Sequence, residues 1–209
     1  MVPLLLLFTV AVGGAAWTAA RLFRPPEIPV WVPTAAESRR AQQKLFEIVR
    51  RPPRSGESAT DAVTFSEKEV NALISRHLVE VGGVAVKNSF VRLVGAHRVD
   101  VYGSLPLGDV LDAVGPATTS RQLPVSWATR PVWWHLTTRL RTAGGSDGRR
   151  RLYLDVEALA LGDQPVPAAL TRLLLPPRVL ELLRFDLPGG VDSVAVEPGK
   201  VVVRGRASP

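Results

Sequence analysis

Residues 2–20 form the longest uncharged stretch of the chain, and they constrain its fold more than any other feature. Nineteen residues in a helix that rises about 1.5 Å per residue would just cross the hydrocarbon core of a bilayer, about 30 Å thick. We therefore predict that residues 1–23 are a membrane anchor in the form of an N-terminal transmembrane helix. A cleaved signal peptide is the alternative, because Thr18, Ala19 and Ala20 are small residues of the kind found at cleavage sites.

The charges beside this stretch give conflicting indications of orientation. Arg21 and Arg24 follow it and no Lys or Arg precedes it, so the positive-inside rule would place the rest of the chain in the cytoplasm. A chain that starts like a signal sequence instead leads its domain outward. We expect a single-pass protein of the cell inner membrane, with its domain on the periplasmic, extracytoplasmic side.

The composition leaves room for one domain beyond the anchor. The chain has 209 residues, of which 46% are hydrophobic, and domains commonly contain about 100 to 200 residues. It has no cysteine, which excludes disulfides, thiolate metal sites and a cysteine nucleophile. Its formal net charge of +7 favours phosphate-bearing partners, either lipid headgroups or nucleic acid.

Residues 24–62 are predicted to form a stalk followed by an amphipathic helix. Four prolines between positions 25 and 33 prevent the first helix from continuing and favour an extended segment. Thr34 and Glu37 then form a capping box that predicts a helix over residues 34–51. Its polar face carries Arg39 and Arg40, which are either solvated or bind anionic headgroups next to the anchor.

A change of hydrophobic period predicts an α+β domain over residues 63–206. Ser66 and Glu69 cap a helix, and after Gly83 apolar residues alternate with polar ones, which is typical of strands with one wet face. Glycine-rich and Pro-Gly turns near 144–148 and 197–199 predict two hairpins. Hairpins pair antiparallel, so we expect an antiparallel sheet packed on helices.

The most apolar segment after the anchor is 167–185. Pro176 and Pro177 interrupt any helix there, and the apolar residues do not follow a single stripe. The segment is therefore either buried on several sides or lines an apolar groove that could hold acyl chains. The residues that would line such a groove are Leu173, Leu174, Leu175, Val179, Leu182 and Leu183.

Three sequence features together resemble a known group of proteins. They are VTFSEKEVNALI at 63–74, LGDQPVP at 161–167 before the leucine-rich segment, and the closing valine hairpin. They resemble small anchored bacterial proteins of the YpmS type, which are similar to tubular lipid-binding (TULIP-like) and LmeA-like domains. The resemblance covers roughly residues 63–206 and implies a sheet curled around a long helix, a lipid-handling or envelope-associated role, and no catalytic residues. Pro176 and Pro177 depart from a continuous helix and put a continuous lipid tunnel in doubt.

The sequence contains no pattern that is typical of an active site. His77, His97 and His135 lie far apart without a short ligand spacing. No glycine-rich phosphate loop is present, and no serine stands in a G-x-S-x-G elbow. We therefore predict that the protein is not an enzyme and uses no metal or other cofactor.

Tryptophans and arginines cluster around the predicted strand 132–141. Trp133, Arg139 and Arg141 share one face of this strand, and Trp134 lies on the other. Aromatic rings beside arginines either sit at a bilayer interface or stack on bases. Because an anchor is predicted, we favour the interface and expect no nucleic-acid partner. Trp133 is then a candidate lipid contact, and the candidate headgroup ligands are Arg139, Arg141, Arg39 and Arg40.

These features favour a membrane-anchored, non-catalytic envelope protein that binds membrane lipids through an apolar groove and a basic surface. The alternative is a structural accessory protein that docks an envelope protein partner through the apolar helix 167–185. A lipid binder should enclose its apolar residues in a cavity, whereas a docking protein should expose them as a flat patch.

Overall fold

The chain folds into an α+β arrangement with antiparallel strands, as predicted. The computed structural model describes residues 17, 20–27, 34–50, 62–77, 87–114, 120–144, 150–175, 183–188 and 191–205. The helices are α1 (Ala35–Arg50), α2 (Glu67–His77), α3 (Leu107–Val114), α4 (Val125–Ala128) and α5 (Ala168–Leu174), with a 3₁₀ turn at Ser120–Gln122. The strands are β1 (Ala62–Ser66), β2 (Lys87–Gly95), β3 (Arg98–Pro106), β4 (Pro131–Gly144), β5 (Arg150–Leu161), β6 (Gln164–Val166), β7 (Arg184–Asp186), β8 (Val191–Glu197) and β9 (Lys200–Gly205).

Most of the predicted anchor, residues 1–23, lies outside the described residues. Among the helices that the structure describes, none combines the length and the apolar character needed to cross a bilayer. Ala20, Arg21 and Leu22 are helical, and residues 24–27 are neither helix nor strand, so the helix ends where the sequence predicted that prolines end it.

The larger sheet has six strands in the order β2-β3-β4-β5-β6, with β7 added beside β5. The predicted hairpin of β4 with β5 forms an antiparallel ladder. The strands β2 and β3, in a region where alternation predicted strands, pair antiparallel as well. Val99, Leu136 and Leu140 point to one face, which we call the inner face. Tyr102 and His135 are cross-strand partners on the opposite, outer face.

A second sheet of three strands, in the order β1-β9-β8, covers part of the inner face. Its hairpin, β8 with β9, was predicted, but β1 was not, because its five residues lead directly into the cap of α2. Phe65 of β1 and Val194 of β8 pack against Leu93 of β2 in the main hydrophobic core. The two sheets also share backbone hydrogen bonds, including one from the Gly199 N–H to the Leu93 carbonyl at 2.9 Å.

Helix α1 belongs to this core, which differs from the prediction that grouped it with a stalk over residues 24–62. The predicted cap is present, because the Thr34 N–H donates to Glu37 Oε2 at 3.0 Å. Ala41 and Ile48, on the apolar face of the helix, are buried. Lys44 Nζ donates to Glu69 Oε2 of α2 at 2.7 Å and to the Thr64 carbonyl of β1 at 2.8 Å. Apolar burial and these two bonds fix α1 on the domain.

Helix α2 protects the edge of β2. Asn71 is buried; its amide nitrogen donates to the Val91 carbonyl at 2.7 Å, and its oxygen accepts from the Val91 N–H at 2.6 Å. Glu67 Oε2 accepts from the Leu93 N–H at 2.8 Å. These side chains take the place of a neighbouring strand, because they bind backbone N–H and C=O groups on the open edge of β2. Left unbound, those groups could pair with a strand of another chain.

One end of the six-stranded sheet gathers the short helices. Pro106 at the end of β3 pairs with Pro131 at the start of β4, and Leu161 at the end of β5 pairs with Trp134 nearby. Helix α3 follows β3, α4 precedes β4, and α5 follows β6; both α4 and α5 contact α3. We call this the anchor end, because the segment after the predicted anchor arrives there.

Candidate functional site

The segment 20–24 packs directly on the anchor end. The Asp163 N–H, in the turn between β5 and β6, donates to the Arg21 carbonyl at 3.1 Å, and Arg24 pairs with the Asp163 carboxylate at 3.5 Å. Gly162 lies so close to the backbone of Arg21 and Leu22 that any Cβ atom there would overlap it. The turn between β5 and β6 therefore binds the start of the predicted stalk.

An aromatic and cationic contact reinforces the same junction. The ring of Phe23 meets the ring of Trp127 edge-on, with 6.2 Å between centroids. The guanidinium of Arg130 lies 4.1 Å from the centroid of the Phe23 ring, a distance typical of a cation–π interaction. Trp127 belongs to α4, and Arg130 lies in the connection between α4 and β4. Phe23 is therefore held where the chain enters the sheet.

The anchor end also exposes large apolar side chains to solvent. Val125 is 78% exposed and Trp127 47% exposed in α4, and Leu170 in α5 is 50% exposed. Single exposed apolar residues are ordinary, but these three lie on short helices at the end to which the uncharged N-terminal stretch leads. We refer to Val125, Trp127 and Leu170 as the anchor-end patch.

The inner face divides into two apolar regions. The main core occupies the part beneath the three-stranded sheet. Toward the anchor end, Val132, Leu136 and Leu159 are buried without belonging to that core. Trp134 and Leu161 lie beside them on the same face and are half-buried. Helices α3 and α5 contact this part of the sheet. We call these five residues the upper apolar set.

Trp134 occupies its place because Gly103 on β3 has no side chain. A Cβ atom at Gly103 would overlap the indole ring. The indole Nε1 is buried and makes no hydrogen bond to the residues that the structure describes. A buried indole N–H without an acceptor is uncommon, since Trp usually finds a partner for it.

A cleft of about 750 Å³ lies on the outer face beneath residues 24–27. Its floor contains Tyr102 and His135, whose rings stack in parallel with 4.2 Å between centroids. Arg24, Glu27 and Arg92 lie around it. Burial, and after it the nearby Asp100 carboxylate, raises the pKa of the Tyr102 hydroxyl above its ordinary value. The phenol therefore stays protonated at neutral pH and can act as a donor.

The structure describes four of the six predicted groove residues, and it places one of them, Leu183, beside the main-core part of β5 rather than beside the upper apolar set. Leu175, after α5, and Leu183, before β7, are both half-buried, and the Leu183 carbonyl accepts from the Leu154 N–H at 3.0 Å. Leu173 and Leu174 belong to α5, which contacts β5. Val179 and Leu182 lie outside the described residues.

The other predicted site residues are dispersed. Trp133 is half-buried on the outer face, opposite the upper apolar set. Arg139 pairs with Glu157 at 2.6 Å and Arg141 with Asp155 at 2.7 Å, on the half of β4 that is remote from the anchor end. Arg39 and Arg40 are exposed on α1. The predicted basic surface is therefore not one cluster, because the arginines of β4 already have carboxylate partners on β5.

Sequence reasoning missed Phe23 and the part that Gly162 plays in the junction, whereas Arg130 and Trp127 belong to the tryptophan and arginine cluster that the sequence shows. The only signal was Gly162 within LGDQPVP, since a glycine before a short strand permits close backbone approach. A comparison of the chain with known protein families and with curated proteins finds no match, so its function has to be argued from this geometry.

Proposed function

We propose that the protein is a membrane-anchored, non-catalytic envelope protein whose domain binds a membrane lipid at its anchor end. The acyl chain would lie along the upper apolar set, between the inner face of the sheet and helices α3 and α5. The headgroup would remain at the rim, within reach of arginines of the anchor end such as Arg21 and Arg130.

The observation that carries this proposal is the position of the upper apolar set at the anchor end of the inner face. Among the described residues, Val132, Leu136 and Leu159 are buried there outside the main core cluster, although Leu136 pairs with Val101, which packs against that core. Half-buried Trp134 and Leu161 border them. The group lies at the end where an uncharged stretch of nineteen residues joins the domain. A lipid in the bilayer would reach it without crossing water.

The energetics favour an acyl chain as the ligand. Each buried methylene of a lipid contributes about 0.8 kcal/mol, and each arginine near an anionic surface about 1 kcal/mol. Relative to water, five or six methylenes against the upper apolar set would thus outweigh the arginine contribution. Relative to the bilayer, where the acyl chain is already buried, selection among lipids would depend mainly on the arginines and the headgroup.

A photo-crosslinking experiment tests the proposal on two adjacent residues of β5. Benzoylphenylalanine would replace Leu161 on the inner face and, as the matched control, Ala160 on the outer face. The full chain would be reconstituted in vesicles of phosphatidylethanolamine and phosphatidylglycerol, irradiated and weighed by mass spectrometry. We expect phospholipid adducts at position 161 at least five times more abundant than at position 160.

Other outcomes of the crosslinking experiment would overturn lipid binding or favour the partner-docking alternative. Equal adducts at both positions, or none at either, would overturn lipid binding by the inner face. If the same position crosslinks to a protein when the experiment is done in native membranes, the accessory protein that docks a partner through residues 167–185 becomes the better account.

A further inference from the structure

We propose that the anchor-end patch lies on the surface of an anionic bilayer, so that the domain stands on the membrane with β3 and β4 pointing away from it. This inference rests on the membrane attachment in the proposed function, and it adds a second and separate contact. The occupant of the patch is the headgroup region of the membrane that holds residues 2–20.

The first argument is connectivity. The uncharged stretch ends at Ala20, and within four residues the chain is bound to the Asp163 N–H, to Gly162 and, through Phe23, to Trp127 and Arg130. A helix covers only about 1.5 Å per residue. The patch therefore cannot be far from the point where the stretch would leave the hydrocarbon core.

The second argument is the chemistry of the surface. Indole rings are favoured at the depth of lipid headgroups, and exposed aliphatic side chains gain by leaving water. Trp127 and Val125 offer both kinds of group. Arg121 and Arg130 are exposed beside them, and Arg21 is exposed at the junction. Asp109 of α3 is an exposed carboxylate at this end, whereas Asp163 is paired with Arg24.

The third argument is the contrast with the opposite end of the sheet. There the turn of Ala96 and His97 lies against the β8–β9 turn, and Lys200 pairs with Glu197 at 2.8 Å. In the described residues of these two turns no Phe, Tyr or Trp is exposed, whereas Phe185 of β7, beside the β4–β5 hairpin, is 48% exposed. Nine residues of β3 separate the two ends, which corresponds to roughly 30 Å at 3.4 Å per residue. A surface contact at the anchor end and an aqueous opposite end are thus distinguishable by a depth measurement.

The absence of cysteine makes the experiment direct, because any single cysteine can be labelled uniquely. A nitroxide would be attached to Val125→Cys in the full chain and, as the control, to Lys200→Cys. Both proteins would be reconstituted in vesicles of phosphatidylcholine with 30% phosphatidylglycerol. Electron paramagnetic resonance with oxygen and a nickel chelate then reports the depth of each label.

We expect the label at position 125 to lie at headgroup depth and the label at position 200 to be fully aqueous. In the variant that also carries Arg121→Gln and Arg130→Gln, we expect the immersed fraction at position 125 to fall, by about five-fold in its equilibrium constant per arginine. Pure phosphatidylcholine vesicles should produce a similar loss.

The experiment distinguishes failure of the membrane attachment from failure of the docked orientation. If the labelled chain does not float with the vesicles in a density gradient, both the membrane attachment and this inference fall. If it floats but the label at position 125 is as aqueous as that at position 200, the docked orientation is wrong and the attachment stands. Immersion that is unchanged without phosphatidylglycerol and in the double Arg variant would overturn the role of anionic lipid.

Discussion

Glu69 shows how much a single side chain can contribute to this fold. Its carboxylate accepts from the Ser66 N–H at 2.9 Å and from Lys44 of α1 at 2.7 Å, while only 8% of the side chain is exposed. Burial alone would raise the pKa of Glu69, but the hydrogen bonds from Lys44 and Ser66 outweigh it and hold the pKa below its ordinary value. One residue therefore caps α2 and fixes α1.

We expect Glu69→Gln to lower the free energy of unfolding at pH 7 by about 1.5 to 3 kcal/mol, because bonds to a charged group are lost. Since the folded pKa lies below the unfolded value of about 4.3, this contribution is complete above that pH and disappears as the pH falls through the folded pKa. Urea titrations from pH 7 to pH 3 should show the two proteins converging.

Glu37→Gln is the matched control, because Glu37 makes the same capping contact with Thr34 on the exposed end of α1. Glu37→Gln should lower the free energy of unfolding clearly less than Glu69→Gln does. Equal effects of the two substitutions would contradict the role assigned to burial and to Lys44.

At the scale of elements, the sequence predicted the helices and strands that are marked by a pattern in their own residues. Capping boxes located the starts of α1 and α2, and alternation located β2, β3, β4 and β5. It did not predict β1, α3 or α4, which are five, eight and four residues long. Elements this short are stabilised by tertiary packing rather than by their own residues, so their sequences carry little signal.

The candidate site was predictable only in part for the same reason. The apolar character of 167–185 is visible in the sequence, and α5 contacts β5. Proximity in sequence cannot reveal that Arg139 and Arg141 of β4 pair with Glu157 and Asp155 of β5. Likewise, Phe23 and Trp127 are more than one hundred residues apart in sequence, and only the fold brings them together.

Gly162→Ala tests the junction between the segment 20–24 and the β5–β6 turn. The added Cβ would overlap the Arg21 and Leu22 carbonyls, and the φ of +56° at Gly162 disfavours any L side chain. We expect hydrogen exchange of the Asp163 amide, which donates to the Arg21 carbonyl, to accelerate at least ten-fold, while the main core stays protected. Gly144→Ala is the control, because a Cβ there meets nothing within 4 Å; faster exchange in this variant too would contradict the proposed contact.

At the scale of the whole molecule, the two sheets and helices α1 and α2 share one core. Leu93 belongs to it and is 4% exposed, whereas Val94 points to the outer face and is 42% exposed. We expect Leu93→Ala to lower the free energy of unfolding by about 2 to 5 kcal/mol and Val94→Ala by about 0.5 kcal/mol or less. Both should unfold in one urea transition; two separated transitions for Leu93→Ala would show that the sheets unfold independently.

The bond between the Asp163 N–H and the Arg21 carbonyl also limits where the domain can work. An unattached link from residue 21 to α1 would have a root-mean-square length of about 20 Å, and the domain would sample a wide shell of space above its anchor. Fixed at residue 21, it has almost no lateral range of its own. The fourteen residues of β4 then set its height, roughly 45 Å. In the proposed membrane-anchored protein, a partner would therefore meet this domain within that layer above the bilayer.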